Sequence, residues 1–206
     1  MVDDRFLKQA YQLKTTDDTI NLYEGWADSY DDTVREHGYV TPQRCAAALS
    51  RHLDDLTAPV LDIGCGTGLS GLALQDAGFS TVDGTDLSAS MLDKARQHKA
   101  VYRTLHQTSL DDPFPFAVGA YHAVTAMGVI ADKHAPPETI SQLIDKLGKG
   151  GLLVFSLNNH TLENPSYEKE IRTLSEQGRA VVLEAEMGPH MTGYNMTSKI
   201  YVLRAA

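Results

Sequence analysis

The chain of 206 residues has room for one domain with a full central sheet and two helical layers, and little room for a second domain. Its formal net charge of −9 at pH 7 disfavours a nucleic-acid partner, because phosphate backbones carry charge of the same sign. The apolar runs are shorter than the roughly 18 residues of a membrane span, and the acidic start MVDDR is not typical of a signal peptide. We therefore expect a cytoplasmic protein with no membrane partner, and the composition leaves the oligomeric state open.

The two cysteines, Cys45 and Cys65, indicate neither a disulfide nor a metal site. Neither has a second cysteine at the C-x-x-C spacing of metal ligands. The three clustered cysteines that hold an iron–sulfur cluster for radical chemistry are also missing from the sequence. We therefore expect no metal.

Two N-terminal segments, residues 3–13 and 16–37, carry apolar side chains at helical spacing. In the second segment, Tyr23, Trp26 and Tyr30 share one face. Core packing explains that face, and so does contact with a ligand, because a cation favours a nearby aromatic ring. Such a helical layer can fold over a bound ligand as a lid.

Residues 60–69, with the sequence VLDIGCGTGL, predict a short buried strand, a sharp glycine turn and the start of a helix. Unpaired N–H groups at such a helix start suit a carboxylate or a phosphate. Residues 80–85 predict the next strand, which leads to Asp86 about 20 residues beyond the glycines. A carboxylate there can accept hydrogen bonds from both hydroxyls of a ribose. The two stretches together predict a nucleoside-binding βαβ unit.

The glycine spacing separates two classes of cofactor. Dinucleotide enzymes favour Gly-x-Gly-x-x-Gly, whereas Gly68 comes one residue earlier than that pattern requires. Asp62 also stands two residues before the first glycine, where it suits an ammonium group and not a pyrophosphate.

The rest of the chain predicts a regular alternation of helices and strands. Thr41 as N-cap and Pro42 at the first position start a helix that runs to about Leu53, and Ser88 caps a helix that runs to His98. The remaining predicted elements are helices at 68–78, 136–147 and 164–178, strands at 101–106, 121–127 and 152–157, and a hairpin formed by 179–187 and 197–203.

The motifs resemble a known family. Residues 60–68 and the sequence GTDLS at 84–88 are similar to motifs I and II of the class I S-adenosylmethionine-dependent methyltransferases. Residues 149–155 resemble the turn and fifth strand of that family, and residues 23–31 the N-terminal segment of its small-molecule members. The sequence HAPPE at 134–138 is most like the methyltransferase-like proteins of the Williams–Beuren chromosomal region and their bacterial relatives.

The resemblance implies a Rossmann-like α/β fold: a seven-stranded, mostly parallel sheet with one antiparallel strand and helices on both faces. We expect a single methyltransferase domain over residues 1–206, with a helical lid at 1–40 and a cofactor-binding core with a C-terminal hairpin at 41–206. S-adenosylmethionine is the implied cofactor. The cofactor contacts that the resemblance implies are Tyr30, Asp62, Gly64, Cys65, Gly66, Thr67, Gly68, Asp86, Leu87, Met91, Ser109, Leu110 and Met127.

Two positions depart from the family pattern. The family commonly has an Asp where Ser109 aligns, and that Asp accepts a hydrogen bond from the adenine amino group. Ser109 could replace it, or Asp111 could reach back. His122 also stands where the family usually has Asp, but it lies at a strand start, away from the ligand-binding ends, so we interpret it as structural.

Residues after the predicted fourth and fifth strands are candidates for acceptor contacts, because ligands bind at the carboxyl ends of open α/β sheets. His134 is the candidate general base, since unperturbed imidazole titrates near pH 6.5. Tyr23, Trp26, His134 and Asn158 are the candidate acceptor contacts, although asparagines in loops commonly serve turns.

The resemblance implies methyl transfer to a small-molecule acceptor by in-line displacement. A base is needed only when the acceptor arrives protonated. Two alternatives remain open: a domain that binds S-adenosylmethionine without catalysis, and a methyltransferase that acts on protein. A nicotinamide-dependent oxidoreductase is disfavoured by the glycine spacing and by the missing Tyr-x-x-x-Lys pair.

Overall fold

The computed structural model describes residues 22, 24–132 and 134–206, so the helix predicted at 3–13 and the predicted contact Tyr23 lie outside the described residues. The strands are β1 (Val60–Ile63), β2 (Val82–Asp86), β3 (Thr104–Gln107), β4 (Ala123–Ala126), β5 (Leu152–Asn158), β6 (Ala180–Met191) and β7 (Met196–Ala205). The α-helices are α1 (Tyr30–Glu36), α2 (Thr41–Ser50), α3 (Leu69–Asp76), α4 (Ala89–Ala95), α5 (Glu138–Lys146), α6 (Asn159–Leu162) and α7 (Ser166–Glu176). A short 3-10 helix, Thr192–Tyr194, joins β6 to β7.

The strands form one sheet in the order β3-β2-β1-β4-β5-β7-β6. Neighbouring strands from β3 to β5 run parallel, and β7 runs antiparallel to both β5 and β6. The predicted Rossmann-like sheet of seven mostly parallel strands with one antiparallel strand is therefore confirmed. Because the strand order changes direction between β1 and β4, a crevice opens there at the carboxyl ends of the strands.

Helices cover both faces of the sheet, as predicted, because successive side chains of a strand point to opposite faces. Leu61 and Ile63 of β1 belong to the core cluster of α5 and α7, whereas Val60 belongs to the cluster of α2 and α3. β1 and β4 are buried along their whole length. Asp62 and Thr125 are therefore polar residues inside strands that are otherwise surrounded by core.

The longest of the described α-helices, α7, has 11 residues. None of the helices within the described ranges is long and apolar enough to cross a membrane.

Ser88 caps α4 as predicted: its hydroxyl accepts a hydrogen bond from the N–H of Met91 at 3.2 Å.

The predicted N-cap of α2 is wrong by one residue. The helix begins at Thr41, so Val40 holds the N-cap position. The Thr41 side chain is buried, and its hydroxyl contacts Nδ1 of His190 at 2.7 Å and Oγ of Ser198 at 3.2 Å. A hydroxyl held by β6 and β7 is not available to cap its own helix, so a tertiary contact overrides the local preference.

β3 begins at Thr104, three residues later than the predicted start at Val101. Val101 is buried ahead of the strand. The Tyr102 hydroxyl reaches α3, where it accepts a hydrogen bond from the N–H of Gly71 at 3.0 Å. Tyr102 therefore packs against α3 instead of extending the strand, and Val101 is buried outside it.

Residues 108–122 connect β3 to β4 without a helix. Phe114, Phe116 and Tyr121 pack edge to face in series, with ring centroids 6.5 Å and 5.6 Å apart. All three rings pack against the core that α5 covers. The connection therefore forms a wall beside the crevice in place of a helical layer.

Leu22 and residues 24–36 pack against the loop end of the C-terminal hairpin. Leu22, Trp26 and Val34 share a buried cluster with Met191 and Met196. Apolar contact thus anchors this N-terminal segment next to the carboxyl ends of the strands.

The buried His190 predicts a specific loss of stability in acid. Burial lowers the pKa of His190 to about 4, whereas the unfolded chain takes up a proton near pH 6.5. The stability that neutral His190 contributes is present above pH 6.5 and is lost as the pH falls toward 4, by about 3 kcal/mol. Urea unfolding of the wild type and of His190→Asn at pH 7.5 and pH 4.5 should show a smaller loss in the variant.

The exposed His122 provides the matched control. His122→Asn should lose as much stability in acid as the wild type does. An equal acid loss in wild type and His190→Asn would contradict this account of His190.

Candidate cofactor and acceptor site

A cavity of about 410 Å³ opens at the carboxyl ends of β1, β2 and β4. Its walls come from the loops that follow β1, β2, β3 and β4 and from α5. This is the crevice created where the strand order changes direction. Its volume is typical of a small-ligand site. The predicted site residues that line it are Tyr30, Gly64, Gly66, Asp86, Leu87, Met91, Leu110, Met127 and His134.

The loop between β1 and α3 has a backbone conformation that requires glycine. Gly64, Gly66 and Gly68 have φ values of +61°, +54° and +100°, which residues with a Cβ rarely adopt. Among the described residues, apart from Gly66 and its two chain neighbours, no atom lies within 4 Å of the point that a Cβ on Gly66 would occupy. The backbone of the loop therefore borders open space and can approach a ligand closely.

Three predicted cofactor contacts in this loop do not line the cavity. Cys65 is buried beneath the loop. Thr67 donates a hydrogen bond to Asp31 at 2.5 Å. Gly68 packs close to Ala95 of α4. Their contact with a cofactor stays a prediction, and in this structure they shape the loop.

Asp86, at the end of β2, is held in place by backbone donors. Its Oδ2 accepts a hydrogen bond from the N–H of Gly66 at 2.8 Å, and its Oδ1 accepts one from the N–H of Ser88 at 2.9 Å. Burial raises the pKa of this carboxyl above its usual value. Each carboxylate oxygen has a second lone pair, so Asp86 can accept further hydrogen bonds from a ligand in the cavity.

Asp62 lies beneath the glycine loop and does not line the cavity. It is fully buried, and it accepts hydrogen bonds from the hydroxyls of Ser70 at 2.5 Å, Tyr102 at 2.8 Å and Thr125 at 2.9 Å. Burial raises its pKa to about 6. The structure therefore places this carboxylate behind the loop, so the direct ammonium contact predicted for it stays a prediction.

One side of the cavity is largely apolar. Leu87, Met91 and Leu110 line it together with Phe114, and flat apolar surfaces of this kind suit an aromatic base. Met91 lies in the first turn of α4, where the sequence predicts it.

Contact of Ser109 with a cofactor stays a prediction, because the structure does not bring its side chain to the cavity. Ser109 is exposed and lies off the cavity, and its Oγ accepts a hydrogen bond from the N–H of Asp112 at 3.3 Å. Thr108, one residue earlier, lines the cavity instead. A loop has no side-chain period, so the sequence offered no signal for this register.

The N-terminal segment contacts the cofactor loops through three carboxylates. Glu24 accepts hydrogen bonds from the hydroxyls of Ser88 at 2.8 Å and Ser90 at 2.6 Å. Asp28 forms an ion pair with Lys94 at 2.7 Å. Asp31 accepts from Thr67, as described above, and the adjacent Tyr30 lines the cavity.

The segment after β4 and helix α5 form the remaining wall. His134 lines the cavity, and its backbone N–H donates a hydrogen bond to the backbone carbonyl of Ala131 at 3.0 Å. Thr139, Gln142 and Leu143 of α5 also line it. The sequence carries no signal for these three residues, because a helical pattern does not tell which side chains of the helix border a ligand.

Two predicted acceptor contacts have other roles. Trp26 is buried in the cluster with Met191 and packs edge to face on Tyr30, with ring centroids 4.8 Å apart. Asn158 caps α6: its Oδ1 accepts hydrogen bonds from the N–H of Thr161 at 2.9 Å and from its hydroxyl at 3.0 Å. Neither lines the cavity, so contact of either residue with an acceptor stays a prediction.

The described residues contain no group of three or more His, Cys, Asp or Glu side chains that could hold a metal ion.

Comparison with known proteins identifies the family. A family model described as a methyltransferase domain matches residues 36–195. Methyltransferase-like protein 27 of Homo sapiens is 29% identical over 168 residues, which are 80% of this chain and 67% of the human protein. The resemblance to the methyltransferase-like proteins is therefore confirmed.

Two further matches have different acceptors in their names. A tRNA U34 carboxymethyltransferase of Shewanella amazonensis is 34% identical over 110 residues, and the match covers 52% of this chain and a third of that enzyme (33%). The structure of magnesium protoporphyrin IX methyltransferase from Synechocystis, with bound S-adenosylhomocysteine, superposes with a TM-score of 0.59 at 21% identity and covers 81% of this chain and 84% of that one. With the matched family model, these similarities place the chain among the class I S-adenosylmethionine-dependent methyltransferases.

Proposed function

We propose that this methyltransferase acts on a small, largely apolar acceptor that carries a protonated nucleophile such as a hydroxyl. The observation that supports the proposal is one continuous cavity of about 410 Å³. It borders Asp86 and the glycine loop, and it also borders His134 and the apolar side chains of Val129 and Leu143. A cofactor and a small acceptor would therefore meet in the same space.

The cofactor half of the cavity fits S-adenosylmethionine. Asp86 would accept hydrogen bonds from the ribose hydroxyls, and Leu87 and Met91 would cover the adenine. The open backbone at Gly66 would face the amino-acid part of the molecule. When bound, the cofactor supplies a methyl group on a positively charged sulfur that is already a good leaving group.

The chain contributes mainly positioning and exclusion of water. A methyl group carried on a sulfonium needs no activation by the protein, so catalysis depends on alignment with the acceptor. The ring of Tyr30 borders the cavity and favours a nearby cation. Residues 24–36, held through Glu24, Asp28 and Asp31, would act as the lid that keeps water out.

His134 is the proposed general base. Its position on the cavity wall supports this role. The imidazole would accept the proton of the acceptor hydroxyl as the oxygen attacks the methyl carbon, and it would later return that proton to solvent. A carboxylate acceptor would not need this step.

Two other acceptor classes are outcomes of the test. The first class is a nucleic acid, which the name of the tRNA-modifying relative suggests. The net charge of −9 argues against this class. A protein acceptor would have to insert a single side chain into the cavity. Without turnover on any acceptor, the chain would be a cofactor-binding domain without catalysis.

The first experiment follows formation of S-adenosylhomocysteine with a panel of candidate acceptors. The panel contains substituted phenols, aliphatic alcohols, carboxylates, bulk tRNA and peptides. Turnover with the apolar phenols or alcohols is expected, because their hydroxyl can reach His134 while their apolar part faces Val129 and Leu143. Turnover with tRNA or peptides alone would contradict the proposed acceptor class.

Asp86→Ala should weaken the binding of S-adenosylmethionine about a hundredfold, or by roughly 3 kcal/mol. The variant loses the carboxylate that would bind the ribose hydroxyls, and it leaves the N–H of Gly66 without its acceptor. Isothermal titration measures the affinity. Asp93→Ala is the matched control, because Asp93 is an acid of α4 that pairs with Arg96 on the surface. Unchanged affinity in Asp86→Ala would contradict the assignment.

His134→Asn should lower kcat with a hydroxyl acceptor by about a hundredfold or more, the usual contribution of a general base. The affinity for S-adenosylmethionine should stay as in the wild type, because the base acts on the acceptor. His160→Asn, an exposed histidine that lies off the cavity, is the control. Equal kcat in His134→Asn and wild type would show that this histidine is not the base.

A further inference from the structure

Tyr102 joins two elements that support the glycine loop. Its side chain passes between β2 and α3, and its hydroxyl donates a hydrogen bond to Oδ2 of Asp62 at 2.8 Å. The same hydroxyl accepts a hydrogen bond from the N–H of Gly71 at 3.0 Å. Because the Gly71 N–H occupies a lone pair of the phenol oxygen, the phenol proton is directed toward Asp62.

Two glycines make room for this ring. A Cβ on Gly71, in the first turn of α3, would lie 2.3 Å from Cζ of Tyr102. A Cβ on Gly84, within β2, would lie 2.9 Å from Cε1 of Tyr102 and 2.7 Å from Cδ2 of Leu105. Glycine is unfavourable inside both helices and strands. The space that Tyr102 occupies therefore explains the glycine at position 71, and Tyr102 together with Leu105 explains the glycine at position 84.

The charge of Asp62 depends on hydroxyl donors. The ion pairs formed among the described residues do not include Asp62. The titratable groups that face it are Asp86 from β2, Cys65 from the loop, Cys45 from α2 and Tyr102 itself. None of these carries positive charge. The hydrogen bond from Tyr102 lowers the pKa of Asp62, against the larger effect of burial, which raises it.

Tyr102 is suited to this task because it remains a donor. Burial, together with the nearby Asp62, raises the pKa of Tyr102 well above its usual value, so the phenol stays protonated. Ser70 and Thr125 are the other two donors to Asp62. Ser70 belongs to α3 and Thr125 to β4, whereas Tyr102 belongs to the segment that leads into β3. Its hydrogen bond therefore connects Asp62 to a further part of the fold.

We propose that Tyr102 is a positioning residue for cofactor binding, which holds Asp62 as a carboxylate beneath the glycine loop. The proposal rests on the assignment of the loop as the S-adenosylmethionine site. A buried negative charge behind the loop favours a cationic ligand on the other side of its backbone. Protonation of Asp62 removes that charge, so the affinity for the cationic cofactor falls as the pH falls.

Tyr102→Phe tests the proposal, with Tyr121→Phe as the matched control. The Tyr121 hydroxyl also donates a hydrogen bond to a buried aspartate, Asp83, at 2.9 Å, but neither residue lines the cavity. Two quantities are measured between pH 4.5 and 8: the titration midpoint of Asp62 by carbon-detected NMR of the protein alone, and the affinity for S-adenosylmethionine.

In Tyr102→Phe the Asp62 midpoint should rise by about one pH unit or more, the size expected when a hydrogen bond to a charged group is lost. The pH at which the affinity for S-adenosylmethionine begins to fall should move upward by the same amount. Neither quantity should change in Tyr121→Phe. Tyr102 makes no hydrogen bond to Asp86, whose carboxylate is held by the N–H groups of Gly66 and Ser88.

A second substitution preserves the ring and its hydroxyl. Fluorotyrosine at position 102 has a more acidic phenol and donates more strongly, so it should lower the Asp62 midpoint. This opposite change keeps the proposal testable even where Tyr102→Phe fails to fold.

An unchanged Asp62 midpoint, with affinity reduced equally at every pH, would overturn the proposal and leave Tyr102 a packing role only. A shifted midpoint without a shifted binding curve would also overturn it. If the wild type binds no S-adenosylmethionine at any pH, the cofactor assignment itself fails, and the NMR titration of the free protein distinguishes the two failures.

Discussion

The hydrogen bond from the Gly66 N–H to Asp86 links the two motifs on which the site depends. It joins the turn after β1 to the end of β2, and the Ser88 N–H holds the other oxygen of the same carboxylate. Both donors belong to the backbone, so the orientation of Asp86 is set before any ligand arrives. A site ordered in advance loses less free energy to ordering when it binds. The cavity is therefore arranged around a carboxylate that is already in place.

The glycine loop lies between two carboxylates with different surroundings. Asp86 borders the cavity, whereas Asp62 is buried behind the loop and accepts hydrogen bonds from three hydroxyls of the described residues. The hydroxyl donors come from α3, from the segment before β3 and from β4, so one buried side chain connects three parts of the fold. A buried carboxylate with full hydrogen bonding is costly to form and also costly to break. The loop is thus fixed from below by the polar interior of the sheet.

The parts of this site that follow local rules could be predicted from the sequence. The glycine turn and Asp86 were found because their spacing is set by one βαβ unit. Thr108 was missed in favour of Ser109, since a loop has no period that fixes which residue faces inward. The hydrogen bond of Tyr102 to Asp62 joins residues 40 apart, and its only traces in the sequence are a glycine within a helix and a glycine within a strand. Contacts of that kind follow from the assembled fold and not from any stretch of sequence.

The connection between β3 and β4 has a consequence for how the specificity of this enzyme can change. Residues 108–122 contain no helix, so no repeating backbone hydrogen bonds constrain which side chains they carry. Thr108, Leu110 and Phe114 nevertheless form part of the cavity wall. Insertions or replacements there would alter the shape of the cavity while the paired strands and the glycine loop remain intact. Variation in this connection would therefore reshape the side of the cavity that suits an aromatic base, without changes to the strands or to the glycine loop.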